Sequence, residues 1–95
     1  MQMTASFPTM RASALLGTMS KHFAHKITVI EEEDCSTLHF EMGEAGISVT
    51  PEGLHLTLNA LDPDAMERLR GVVEGHLLRF AHREDPAPLA WTAAG

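Results

Sequence analysis

The residues of this 95-residue chain best suited to chemistry near neutral pH are its histidines, and four of the six fall in two helical patterns, His22 and His25 in the first and His76 and His82 in the second. Imidazole changes charge near pH 6.5 and is the commonest nitrogen ligand for transition metals. His22 and His25 stand three residues apart, about 60° around a helix axis, so both rings can approach one ion. Two ligands do not complete a site. A zinc-like centre takes three or four, here drawn from His76, His82 or an acidic side chain, which makes a transition-metal protein built on His22 and His25 one candidate. The structural alternative is that histidines in a last helical turn cap its carbonyls and favour the negative end of the dipole. His76 differs because it projects into an apolar stripe between Val72, Val73 and Phe80. A polar ring there bonds a backbone carbonyl or a buried water, or else lines a pocket between helix and sheet where it could serve a small enzyme as acid or base.

The remaining reactive residue types carry less. His39 and His55 fall on polar strand faces with Thr37, Glu41, Thr57 and Asn59, which would form a docking or ligand surface if their strands were neighbours and an ordinary solvated face otherwise. Cys35 follows Glu31-Glu32-Glu33-Asp34, whose charge disfavours the thiolate. That acidic run lacks the spaced oxygens and glycine of a calcium loop. No Gly-rich phosphate loop, Gly-x-Ser-x-Gly elbow or Cys-x-x-Cys pair is present, and no cofactor is required. Seven basic against thirteen acidic residues give a net charge of -6, which repels phosphates and argues against nucleic acid as a partner. One cysteine permits no internal disulfide, as suits a reducing compartment, and the cytoplasm is the expected location. No segment approaches the roughly eighteen apolar residues of a membrane span, and the start has no basic region ahead of an unbroken apolar core, so a soluble, non-exported chain is expected.

Positioning these residues requires helices and a sheet. Met3, Ala5 and Phe7 alternate with polar residues and predict a short strand ended by Pro8, after which Thr9 is placed to cap a helix. Ala12, Leu15, Leu16, Met19 and Phe23 then recur at helical spacing, predicting a helix from about Met10 to His25 in which Gly17 permits close packing. From Ile27 onward four alternating segments, separated by the acidic run, by Gly43 to Gly46 and by Pro51-Glu52-Gly53, predict a meander with one apolar and one polar face. Asp62-Pro63-Asp64 is a helix start, with a capping carboxylate, a proline where the missing N–H is not needed, and an acid near the positive dipole end. The second helix is predicted to run to about His82 with Met66, Leu69, Val72, Val73, Leu77 and Phe80 inward, Glu67, Arg68 and Glu74 outward, and Asp64–Arg68 and Arg70–Glu74 pairs along its surface. Residues Ala87 to Thr92 read as an edge strand with Leu89 and Trp91 on one side, and Thr92 to Gly95 as frayed.

The expectation is one α+β domain over residues 1–95: an antiparallel sheet of four to six strands with two helices packed on one face, in the order β-α-β-β-β-β-α with a possible terminal strand. That order is also the TATA-binding-protein-like topology, a likeness that carries no function.

At Lys21-His22-Phe23 with His25-Lys26, at Leu54 to Leu58, at Asp62-Pro63-Asp64, at His76-Leu77 to Arg79-Phe80-Ala81 with Arg83-Glu84, and at Trp91, the sequence resembles the bacterial family known as domain of unknown function 2218. The likeness spans nearly the whole chain. It implies a link to iron uptake, since such domains occur beside or joined to siderophore-interacting, reductase-like proteins, and it implies no reaction. Another residue often stands at the position of His82 in this family, which argues against His82 as a ligand. The reading is therefore a small non-enzymatic accessory or binding module, taking a siderophore-interacting protein or a small ligand as partner, with a homodimer open. The alternatives are a transition-metal protein using His22 and His25, and a small enzyme with His76 in a helix–sheet pocket.

Overall fold

A computed structural model describes residues 1–93. The chain runs β1 (Gln2–Pro8), α1 (Ala12–Ala24), β2 (Thr28–Glu31), β3 (Cys35–Phe40), β4 (Gly43–Thr50), β5 (Gly53–Ala60), α2 (Pro63–Phe80), a 3-10 turn (His82–Glu84) and β6 (Thr92–Ala93). All strand pairs are antiparallel and the sheet order is β2-β3-β4-β5-β1-β6. The meander follows from its short connections. β1 returns to the far side of β5, pairing Met3 with Leu58, Ala5 with Leu56 and Phe7 with Leu54.

The strand period of two sends Ala5, Phe7, Leu38, Ala45, Ile47, Leu54, Leu56 and Leu58 to one sheet face, where they are buried. Leu15, Leu16, Met19 and Phe23 of α1 and Met66, Leu69, Val73 and Leu77 of α2 close the same core from above. Both helices thus cover one face, as the apolar stripes predict. Asp62 caps α2, its Oδ1 accepting from the Ala65 N–H at 2.8 Å, with Pro63 in the first turn. Gly43 and Gly53 open β4 and β5 at φ of 159° and 151°, and a Cβ on either would fall on a neighbouring strand's carbonyl oxygen, of Asn59 and Phe7 respectively.

Several expectations are corrected. Helix α1 begins at Ala12 with Arg11 at its N-cap; Thr9 does not cap it, and its hydroxyl instead accepts from the Arg11 N–H at 3.0 Å and donates to Glu84 at 2.7 Å. Gly17 has no atom within 4 Å of where its Cβ would sit, so no close approach requires it. Helix α2 ends at Phe80, where the backbone tightens into the 3-10 turn. The terminal strand is Thr92–Ala93, which pairs with Thr4 and Met3, in place of the longer Ala87–Thr92 segment; of the end read as frayed, residues 94–95 lie outside the described residues.

Glu74, read as outward, is only 7% exposed. The chain after the 3-10 turn crosses α2 and hides it. The Glu74 carboxylate accepts from the Leu89 N–H at 3.0 Å, the Trp91 indole N–H at 2.8 Å and Arg70 at 2.9 Å. Arg70 also binds Glu67, which holds the guanidinium pKa above its usual value and the Glu67 carboxyl below its own. A buried charge is tolerated here because charge-assisted bonds satisfy it. The expected Arg70–Glu74 pair forms; Asp64 and Arg68 form no ion pair.

Candidate functional site

The ends of α1 and α2 meet beside the end of β3, and there the histidines of interest sit among phenylalanines. Helical spacing puts His22 next to Phe23 at the last turn of α1, and His76 one turn before Phe80 on α2. The His22 and His76 ring centroids are 4.9 Å apart with the planes tilted by 45°. Phe23 meets His22 edge-on at 5.0 Å, Phe80 meets it at 5.4 Å, and Phe40 packs edge-on against Phe23 at 5.1 Å. Such edge-to-face contacts fix ring orientation and exclude water.

The two imidazoles are held differently. His76 Nδ1 lies 2.7 Å from the Val72 carbonyl oxygen one turn earlier. A carbonyl only accepts, so Nδ1 carries a proton in this bond. This is the backbone-bonded histidine that the apolar stripe suggests. His22 Nε2 is buried and has no hydrogen-bond partner. Burial, and after it the proximity of His76, Lys26, Arg79 and His25, pushes the His22 pKa below its ordinary value, so the ring is held neutral. Among the described residues this is the one buried side-chain polar atom left without a hydrogen-bond partner.

His76 also borders an open depression of ≈ 540 Å³ on the surface of α2, formed with Met42, Gly71, Val72, Gly75 and Arg79. Met42 follows β3 and so lies at the same end of the sheet as Phe40. A larger depression of ≈ 930 Å³ surrounds the start of α1, between Thr9, Arg11, Ser13 and the β4–β5 turn. It contains no histidine and no orphaned buried atom.

The structure therefore brings His22 and His76 together. His25 is exposed and makes no ring contact with either, and His82 is exposed with Nδ1 donating to the Arg79 carbonyl at 3.1 Å. Among the described residues no group of three or more His, Cys, Asp and Glu side chains could hold an ion. His39 and His55 are not on neighbouring strands, since β4 lies between β3 and β5. His39 pairs instead with Glu44 across the β3–β4 ladder at 3.4 Å, and His55 faces Ser48. Sequence reasoning assigned Met42 and Phe40 only to a strand face and missed their place at this cluster. The alternation that put them on the apolar face was the available signal, but it did not show which helix end lies above them.

An antiparallel six-stranded sheet under two helices, with a histidine pair at one end, defines a two-layer α+β domain of the β-α-β-β-β-β-α-β order. The chain belongs to the bacterial family described as "Uncharacterized protein conserved in bacteria (DUF2218)", whose model matches residues 4–92. The NMR structure of PA4090 from Pseudomonas aeruginosa is similar to it, at 26% identity and a TM-score of 0.80, over 98% of this chain and 96% of that one. No curated protein matches the sequence. No helix among the described residues is long and apolar enough to cross a membrane.

Proposed function

We propose that the chain is a non-enzymatic binding module that takes a small ligand at the His22–His76 pair. The observation that supports this most is the buried, unpartnered Nε2 of His22, a ring nitrogen with unmet hydrogen-bonding capacity beside a second imidazole whose Nδ1 is bonded to Val72. A ligand bonding that nitrogen recovers the cost of leaving it unpaired. An enzyme is disfavoured by the surroundings: among the described residues no hydroxyl, thiol or carboxylate is hydrogen-bonded to either ring, so neither an activated nucleophile nor an oriented base is assembled. The setting in iron or siderophore metabolism, with a siderophore-interacting protein as partner in the cytoplasm, rests on the family resemblance alone.

Native mass spectrometry of the untagged protein, purified without oxygen or chelator, tests the reading. A bound species retained by the unaltered chain and lost in both His22→Ala and His76→Ala supports it. A chain that emerges bare, or an adduct that survives both changes, overturns it.

A further inference from the structure

We infer that the sheet face left bare by the helices is the interface of a homodimer, in which two copies of this chain stack open face to open face. The inference is independent of the binding reading above, because the histidine pair belongs to the helix layer on the other side of the sheet.

Strand alternation decides what this face carries. Leu38, Ala45, Ile47, Leu56 and Leu58 point toward the helices and are buried, so the residues between them point the other way. The registers set six of these in one row across the whole sheet: Ile30, Thr37, Gly46, Thr57, Thr4 and Thr92. The Thr4 and Thr92 hydroxyls lie 3.4 Å apart, as a shared side requires. β-Branched side chains suit a pleated, half-buried surface, and such surfaces stack face to face in two-sheet proteins. Ile30, at one end of the row, is 52% exposed.

Charge and area choose the occupant. The chain has seven basic and thirteen acidic residues, yet among the strand residues of this face only Glu44 is one of them, and it is paired with His39 at 3.4 Å. Depletion of charge marks the core of an interface, and it leaves little by which a nucleic acid or a strongly charged protein would be recognised. A second copy fits without a like-charge contact. A two-fold axis along the seam between β4 and β5 sets β4 on the partner's β5, β3 on its β1 and β2 on its β6. Gly46, which has no side chain, then faces the partner's Thr57, Thr37 faces the partner's Thr4, and Glu44 faces the partner's Asn59. Strands about 4.8 Å apart and about 20–26 Å long give the face a plane area of roughly 500–600 Å², near a tenth of the chain's 5752 Å² surface. Two copies together bury about 1,000–1,200 Å², which reaches the roughly 1,000 Å² of a specific interface and gives a reversible dimer of modest affinity.

Sedimentation equilibrium of the untagged full chain, from micromolar to millimolar protein, is the test. A concentration-dependent monomer–dimer equilibrium is expected. Thr57→Glu puts a carboxylate at the centre of the face and should weaken association at least tenfold, whereas Thr18→Glu, the same change on the exposed surface of α1, should leave it unaltered. Because Thr57→Glu also burdens an inner strand, a second variant reads the geometry without added charge. Ser6→Cys places a thiol on β1 opposite Cys35 of the partner subunit, while Cys35 of the same chain lies on β3 with β4 and β5 between. A short bis-maleimide should therefore join two Ser6→Cys chains and leave the unaltered protein unjoined. A chain that stays monomeric throughout, a dimer that folded Thr57→Glu does not weaken, or crosslinking of Ser6→Cys no greater than that of the unaltered protein overturns the inference.

Discussion

The cluster turns on one nitrogen, and its effect on stability has a sign. His22 is held neutral in the fold by burial and by the cationic or protonatable groups facing it, His76 and Arg79 from α2 and Lys26 and His25 from its own chain end. Its folded pKa lies below that of the unfolded chain, so in acid the unfolded state binds more protons. The protein is expected to lose stability as pH falls through the ordinary histidine range, and His22→Leu to flatten that part of the curve of Tm against pH; an unchanged slope in the variant refutes the assignment. Glu74 is the second residue on which much depends. Glu74→Ala leaves the Leu89 amide, the Trp91 indole and Arg70 without their shared acceptor and should cost about 3 kcal/mol, with the Trp91 fluorescence shifting to the red as the terminal segment comes away. The sequence made His76 readable because a polar ring in an apolar stripe is anomalous and its own carbonyl four residues back is the nearest remedy. Glu74 was not readable: spacing put it on the helix face away from the sheet, and nothing local shows that the chain's last residues return to cover that face.

The elements were legible where local chemistry decides them. Asp62-Pro63-Asp64 combines a cap, a preset φ and a favourable dipole charge, and α2 starts there. Asp62→Ala should therefore cost about 1 kcal/mol in chemical denaturation. Local chemistry misled at α1, where Thr9 has the capping side chain but the chain does not turn helical until Ala12, because the Thr9 hydroxyl is engaged with Arg11 and Glu84. Glycine was ambiguous for the same reason, since sequence cannot separate a residue that permits contact from one that merely lacks a side chain. Gly17 faces open space on an exposed helix surface, and Gly17→Ala should stabilise the protein by about 0.5–1 kcal/mol. Gly53 is the opposite case. Gly53→Ala drives a methyl into the backbone of β1 and should destabilise by more than 2 kcal/mol, read from the denaturation midpoint.

At the scale of the whole molecule, alternation shows which face of a strand is buried but not which strand lies beside it. Short turns made the β2 to β5 meander readable; the placement of β1 beyond β5, and of β6 beyond β1, was not, because those pairings join segments far apart in the chain. The same separation left the His22–His76 pairing open, since it depends on how the two helices cross the sheet. That order makes β5 an inner strand paired on both sides, and hydrogen exchange should be slowest at Leu54, Leu56 and Leu58 and fast along the four-residue edge strand β2. The position of β1 also has a consequence during synthesis. Residues 2–8 leave the ribosome before their partner, residues 53–60, and at about 5–20 residues per second β1 waits some seconds without that neighbour. For that interval it is an alternating apolar segment with open edges, able to pair with another nascent chain. Its brevity, the hydroxyls of Thr4 and Ser6 on one side and Pro8 at its end limit such pairing until β5 emerges.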